Sequence, residues 1–365
     1  MEKTNEFQKK YLLKRQDYGI LYPYIVQDHV TDINWNGRQL WIDDLERGRY
    51  MAGERLTEAF VDRFILLLSN LTNVPFNRMS PVLEAETEEL RISVVHPCIV
   101  HSGATISIRK IPAVRRLEKT EMIQSGYCTK EMYEFLTNCI MAHCSVAICG
   151  LPGAGKTELL KLLTKFIPAK ERVITIEDVL EIHYQKINPN KDCIEMKVAE
   201  NFSYAQAIKA CLRQLPKWII LSEARSEEVR YLLESLSTGM TGLTTIHTDD
   251  VRNIPDRMKN MAGGREDLTR IENDTYRFID VGILVKSKMS EEGKIQRRIE
   301  QIAVFDRYGV EWKETKNEMV MLVEDGKITG CELPVNIRRK FHEAGVMNPL
   351  MKRNMGEILN ERKNS

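Results

Sequence analysis

The densest chemistry in the chain lies in Gly150-Leu151-Pro152-Gly153-Ala154-Gly155-Lys156-Thr157, which fits G-x-x-x-x-G-K-[ST]. Its glycines let the backbone turn N–H groups inward around the phosphates of a nucleotide, and the positive end of a following helix strengthens that field. Lys156 has the reach and charge for the β- and γ-phosphates, Thr157 offers a hydroxyl to Mg²⁺, and Glu158 completes the cofactor-binding segment. The motif carries this meaning only between a strand and a helix. Residues 145–149 form an apolar run and residues 156–166 have helical spacing, so the context is met.

Three further sites place polar side chains where strands should end. The apolar run 218–221 leads into Ser222-Glu223-Ala224-Arg225. A carboxylate at the carboxyl end of a buried strand beside the P-loop strand can polarise an attacking water or hold the water shell of a metal, which makes Glu223 the catalytic candidate. Ile176-Glu177-Asp178, with Glu181 a turn later, offers more acids for the same rim, suited to outer-sphere Mg²⁺ coordination or to orienting water. Asp178 reads equally well as a cap of the following segment. An isolated histidine is more often structural than catalytic, but His247 follows the run 243–246 at a strand end of the same sheet, a position from which it could sense the γ-phosphate or link the site to a neighbouring subunit.

The elements that must hold these residues follow from periodicity. Residues 1–20 read as a charged, solvated helix or frayed arm, with Phe7, Tyr11 and Leu12 as a weak apolar stripe. From about residue 28 the pattern alternates: Val30, Ile33 and Trp35, then Asn36-Gly37, then Leu40, Trp41 and Ile42, a hairpin signal. Leu56, Phe60, Phe64, Leu67 and Leu68 space as a helix, and strands around 90–95 and 105–108 close a small α/β domain. Pro112 and the charged run 115–121 read as a linker; Thr129 is the expected N-cap of a helix burying Phe135, Leu136 and Ile140. Beyond it, apolar strands alternate with helices at 203–213 and 227–236, which implies a parallel sheet covered on both faces. A meander at 278–286 and 295–305 and a small element with a hairpin at Glu324-Asp325-Gly326 and a terminal helix complete the chain. The expected boundaries are an arm at 1–27, an N-terminal α/β domain at 28–110, a linker at 111–128, a nucleotide-binding domain at 129–308 and an appendage at 309–365.

Composition narrows the function. Among 365 residues, 53 Lys and Arg balance 52 Asp and Glu for a net charge of +1, so no global field points to nucleic acid or an anionic membrane. The start is charged throughout and lacks the core of a signal peptide, and no apolar run is long enough to cross a bilayer, so a cytoplasmic location is expected. The eight cysteines include no C-x-x-C pair, and neither a structural zinc nor disulfides are expected.

At this point the sequence resembles the secretion and pilus traffic ATPases of type II and type IV systems, most of all the type IV secretion and tight-adherence pilus branch. The resemblance rests on CLRQLPKWIILSEARSEEVRYLLESLSTGMTGLTTIHTDD, ITIEDVLEI, the P-loop and ISIRK, four motifs in order across most of residues 28–305. It implies a RecA-like P-loop domain with a parallel sheet behind a smaller α/β domain, and ATP and Mg²⁺ as cofactors. It also implies a Walker A box at Gly150–Thr157, an acidic box at Glu177, Asp178 and Glu181, a Walker B Glu223 and a histidine box ending at His247. Family members form hexameric rings, and arginines matching Arg91 and Arg109 reach the nucleotide. The implied partners are inner-membrane components of a secretion or pilus machine, with the ATPase peripheral at the cytoplasmic face of a bacterial membrane. The chain departs from the pattern at Leu215-Pro216-Lys217, where R-P-D is usual, at Glu158 in place of a second Thr, and at Met240 in place of a His. A nucleic-acid motor, a small-molecule kinase and an assembly subunit with weak hydrolysis remain the alternatives.

Overall fold

The computed structural model describes residues 13–199, 201–262, 268–290, 295–308 and 315–351. The chain divides into two compact units, Met1–Ala113 with Met289–Ile295, and Val114–Lys288 with Gln296–Ser365.

The first unit is a six-stranded antiparallel sheet under one long helix. Its strands are β1 (Val30–Trp35), β2 (Leu40–Asp44), β3 (Gly48–Met51), β4 (Val82–Glu86), β5 (Leu90–Val95) and β6 (Thr105–Lys110), in the order β3-β2-β1-β6-β5-β4. The β1–β2 hairpin closes with Trp35 opposite Leu40, and the Asn36 side-chain oxygen accepts from the backbone N–H of Arg38 and Gln39. Gly37 in that loop has φ +88°, and a Cβ there would lie 2.4 Å from the Ser102 carbonyl, so only glycine fits. The expected helix runs Glu58–Thr72, capped by the Thr57 side chain, and buries Val61, Phe64, Ile65 and Leu68. Leu67, expected on the buried stripe, is half-buried, and Leu56 is buried just ahead of the helix. The expectation of a solvated arm is corrected for its described part. Tyr18, Leu21 and Tyr24 enter the core of this unit, because short helical turns at Arg15–Tyr18 and Tyr22–Ile25 direct them inward. Phe7, Tyr11 and Leu12 lie outside the described residues.

The second unit is a nine-stranded sheet with the order β15-β14-β13-β12-β7-β11-β10-β8-β9. Here β7 is Val146–Cys149, β8 Val173–Glu177, β9 Cys193–Lys197, β10 Trp218–Ala224 and β11 Thr241–Ile246; β12 is Val281–Met289, β13 Ile295–Tyr308, β14 Lys316–Glu324 and β15 Lys327–Ile328. From β12 to β9 each neighbouring pair is parallel, whereas β13–β14 and β14–β15 are antiparallel. Every residue of β7, β8 and β11 is buried, as a sheet covered on both faces requires. Cores lie on each side, one built on the helices Lys130–Met141 and Lys156–Thr164, the other on Tyr204–Cys211, Glu228–Ser237 and Ile254–Met261.

The described part of residues 309–365 is not a separate appendage. β14 and β15 extend the nucleotide-binding sheet through a turn with Asp325 at φ +50° and Gly326 at φ +72°, the left-handed pair of a tight hairpin. The helix Val335–Glu343 packs Ile337 and Phe341 into the same core. Its Lys340 donates to both carboxylate oxygens of buried Asp280 at 2.7 Å, while Asp280 also accepts from the Ser145 N–H at 2.6 Å, directly ahead of the P-loop strand. Residues 114–128 of the expected linker likewise belong to this unit: they hold a helix, Lys119–Gln124, and Arg115 donates to the carbonyls of Lys161 and Ile187.

Candidate functional site

The loop between β7 and the helix Lys156–Thr164 has the shape its sequence demands. Gly150, Gly153 and Gly155 all have positive φ, at +153°, +77° and +93°. A Cβ on Gly150 would sit 2.5 Å from the Val285 carbonyl of β12, so the loop can leave the sheet here only through glycine. Leu151, Pro152 and Gly153 are exposed at the tip, Ala154 is buried, and Thr157 lies half-buried in the first helical turn. The Glu158 side chain turns along its own helix toward Lys161, 3.6 Å away. The Lys156 ammonium is nearly buried and donates to the carbonyls of Gly150 at 3.0 Å and Leu151 at 3.3 Å. Burial pulls its pKa down, against the opposing pull of the Glu223 carboxylate.

Sheet order corrects one expectation and explains the site. Glu223 was expected beside the P-loop strand, but β11 lies between β7 and β10. His247, at the end of β11, therefore stands between Lys156 and Glu223. Its Nδ1 lies 3.2 Å from the Lys156 ammonium and its Nε2 lies 2.9 Å from Glu223 Oε1. An ammonium can only donate, so Nδ1 accepts and Nε2 carries the proton that Glu223 receives. Burial first, and the Lys156 charge second, lower the imidazole pKa and favour this neutral form.

The other Glu223 oxygen accepts from Arg225 Nη2 at 2.7 Å, and Arg225 Nη1 donates to Asp178 Oδ2 at 2.8 Å. Lys156, His247, Glu223, Arg225 and Asp178 thus form one connected chain along the carboxyl rim of β7, β11, β10 and β8. Hydrogen bonding to Glu223 is the main reason the Arg225 pKa is raised. Arg225 is the functional candidate that sequence reading missed. The available signal was its position two residues beyond Glu223, a spacing that returns a side chain to the same side of a strand.

Glu177 behaves differently from the other acids. It is fully buried at the end of β8, and one oxygen accepts from the N–H groups of Glu181 at 2.9 Å and Ile182 at 3.0 Å. In this conformation it holds the turn carrying Asp178 and Glu181, which are half-buried, instead of facing solvent as the catalytic and metal expectation required. Asp178 also accepts from the Val179 N–H at 2.9 Å, but it caps no helix: the next one, Tyr184–Ile187, has His183 at its N-cap position.

Burial raises the Glu177 pKa from 4.5 to about 8. Between those values the unfolded chain has released this proton while the folded chain keeps it. The stabilisation is therefore complete below about pH 4.5 and is lost as pH rises through about 8. Urea midpoints of wild type should accordingly fall between about pH 5 and about pH 9 relative to those of Glu177→Gln. Parallel curves for the two proteins would remove this assignment.

Arg91 and Arg109 sit in the first unit, directly opposite each other on β5 and β6. They belong to a cross-strand row on one sheet face running Glu86, Arg91, Arg109, Asp32, Asp43, Arg49. Two like charges face to face are unfavourable, and the row offsets this with acids on either side. Arg109 Nε donates to Asp32 at 2.9 Å, a partner not foreseen from sequence, whereas Arg91 reaches Glu84 only at 3.9 Å.

The profile of the type II/IV secretion system protein family matches residues 75–275, more than half of the chain. An uncharacterized protein of Bacillus anthracis is 28% identical over 291 residues, spanning 77% of this chain and 66% of its own length. A putative conjugal transfer protein of Mycobacterium tuberculosis is 25% identical over 301 residues, covering 78% of this chain and 84% of its own. Among solved structures, the ATPase DotB of Yersinia pseudotuberculosis superposes with a TM-score of 0.59 at 15% identity, over 83% of this chain and 82% of that one, a likeness of fold. The chain belongs to the type II/IV secretion system protein family, and its second unit carries the phosphate loop.

Proposed function

We propose that the chain hydrolyses Mg²⁺-ATP and that a homo-hexameric ring of it powers protein secretion, conjugation or pilus assembly at the cytoplasmic face of a bacterial membrane. The observation that carries the reading is the connected rim from Lys156 through His247 to Glu223, built at the carboxyl ends of parallel strands beside a phosphate loop. Lys156 leaves its loop carbonyls for the β- and γ-phosphates, and Glu223 orients the attacking water and accepts its proton. The oxygen donors of Thr157, Asp178 and Glu181 suit Mg²⁺, which keeps much of its water and arrives on the triphosphate. Bound there, it would neutralise charge on the β- and γ-oxygens. Arg225 must release at least part of its hold before Glu223 can turn to water.

Arg91 and Arg109 are assigned to the nucleotide phosphates. A guanidinium is always charged and binds two oxygens at once, and a phosphate between the facing pair relieves their repulsion. Arg109→Ala should bind ATP nearly normally yet hydrolyse it at least ~10-fold more slowly, as for loss of a charge-assisted contact in the transition state. The partner machine on the membrane is part of the same proposal; among the described residues no helix is long and apolar enough to span a bilayer.

Steady-state ATPase assays with Mg²⁺ and with chelator, alongside solution mass, test the whole. In a ring, mixing in Glu223→Gln subunits should depress activity more steeply than their mole fraction. Strictly proportional loss, with a monomeric mass in ATP and Mg²⁺, would rule out the ring as the active unit.

A further inference from the structure

At the amino ends of β7, β10 and β11 the second unit carries a cavity of about 500 Å³. These strands are parallel, so the cavity lies at the opposite end of the sheet from the rim of Lys156, His247 and Glu223. Ser145, Lys217 and Thr241, at the strand starts, line it together with the carboxyl ends of the helices Lys130–Met141, Leu268–Phe278 and Val335–Glu343. Two of the departures noted in the sequence, Lys217 and Met240, meet here. Arg277, Lys340 and Glu343 lie beyond the family match, which ends at residue 275.

The polar groups of the lining are not equally engaged. Lys340 is committed to buried Asp280, His143 lies 2.9 Å from Glu171, and Glu343 lies 3.9 Å from Arg339. Lys217 and Arg277 are exposed, and among the described residues neither side chain has a hydrogen bond or an ion pair. Arg277 only lies over the Phe278 ring, at 5.4 Å. Thr241 is 4% exposed, and its hydroxyl likewise has no hydrogen-bond partner among the described residues. A nearly buried hydroxyl without a partner is unfavourable, and a ligand oxygen would satisfy it. Helix carboxyl ends attract cations, which accounts for Arg277 in the last turn of its own helix. It does not account for Lys217, which precedes a strand.

We propose that this cavity binds a small organic phosphate, a monoester whose anionic group is taken by Lys217, Arg277 and the Thr241 hydroxyl. At neutral pH such a group carries about 1.5 to 2 negative charges, which two unpaired cations complement. The guanidinium can bind two of its oxygens at once, and the ammonium adds a compact point charge. The apolar body of the ester lies against Leu236, Met240 and Phe278, which supply the oily part of the wall. The volume falls within the range of small-molecule sites. Lys217 stands where the resembled pattern has an Asp, so this chain presents a cation in place of an acid. The site shares no residue with the catalytic rim and does not depend on the reading of that rim.

Calorimetric titration of the full chain with phenyl phosphate tests this, with inorganic phosphate and benzoate as the probes that lack the body or the second charge. Wild type should bind phenyl phosphate at least ~5-fold tighter than either, as for one added favourable contact. Arg277→Ala should weaken that binding at least ~5-fold, and Lys217→Asp, which reverses a charge, at least ~10-fold. Lys156→Ala should leave it within ~2-fold, because the P-loop is at the other end of the sheet. Thermal melts of Arg277→Ala and Lys217→Asp should stay close to wild type, since both side chains are exposed. Binding that falls with Lys156→Ala and survives Lys217→Asp would assign the phosphate to the P-loop and overturn the proposal. So would benzoate binding as tightly as phenyl phosphate. Absence of binding by wild type at ~10 mM phenyl phosphate would show that the cations serve only the helix ends.

Discussion

Lys156→Ala is expected to abolish ATP hydrolysis and to weaken ATP binding by at least ~10-fold, the scale of a lost charge-assisted contact to phosphate. In the structure the ammonium is parked on the carbonyls of Gly150 and Leu151 and against His247 Nδ1. These are modest neutral contacts, so a triphosphate competes for the charge with advantage. Burial already penalises the ammonium, and arrival of an anion removes that penalty. The substitution also strips His247 of the donor that sets its tautomer, which disturbs the hydrogen bond delivered to Glu223. Thermal melts should show a folded protein, because the hydrogen bonds that Lys156 makes lie in a loop at the rim. Turnover at the wild-type rate would place the hydrolytic site elsewhere.

Glu223→Gln is expected to leave ATP binding within a few-fold of wild type and to slow turnover by at least ~10²-fold, since an amide cannot take a proton from water. The amide keeps a carbonyl oxygen for one of the two donors, His247 Nε2 or Arg225, and turns an N–H₂ toward the other. Some loosening of the Arg225–Asp178 pair is therefore expected. Separating KM from kcat distinguishes that structural effect from loss of the base. A change in affinity alone, with kcat preserved, would exclude Glu223 as the catalytic group.

Much of this site was legible from residues close together in sequence. A phosphate loop is built by its own glycines and by the strand and helix that flank it, so eight consecutive residues identify it. The acids and the histidine at strand ends were found because an apolar run followed by a polar residue marks a strand leaving its core. The Asn36-Gly37 and Asp325-Gly326 turns were likewise visible, because each records a local backbone requirement for positive φ.

What sequence by itself determined, then, was the inventory: a nucleotide-binding loop, its candidate acids, a paired-domain α/β chain and the family. Tertiary structure alone decided the order in which those parts meet. β11 enters between β7 and β10, and that interleaving puts His247 between Lys156 and Glu223. Antiparallel register sets Arg91 opposite Arg109 and gives Arg109 the counter-ion Asp32, from a strand more than seventy residues earlier in the chain. Burial singled out Glu177 from acids with the same sequence context. Residues 316–324 joined the nucleotide-binding sheet because β13 offered them an open edge, a partner that no local pattern names. The physical reason is common to all four. Periodicity and motif chemistry are carried by neighbours within a few residues, whereas strand order, register and depth are set by packing between segments far apart along the chain.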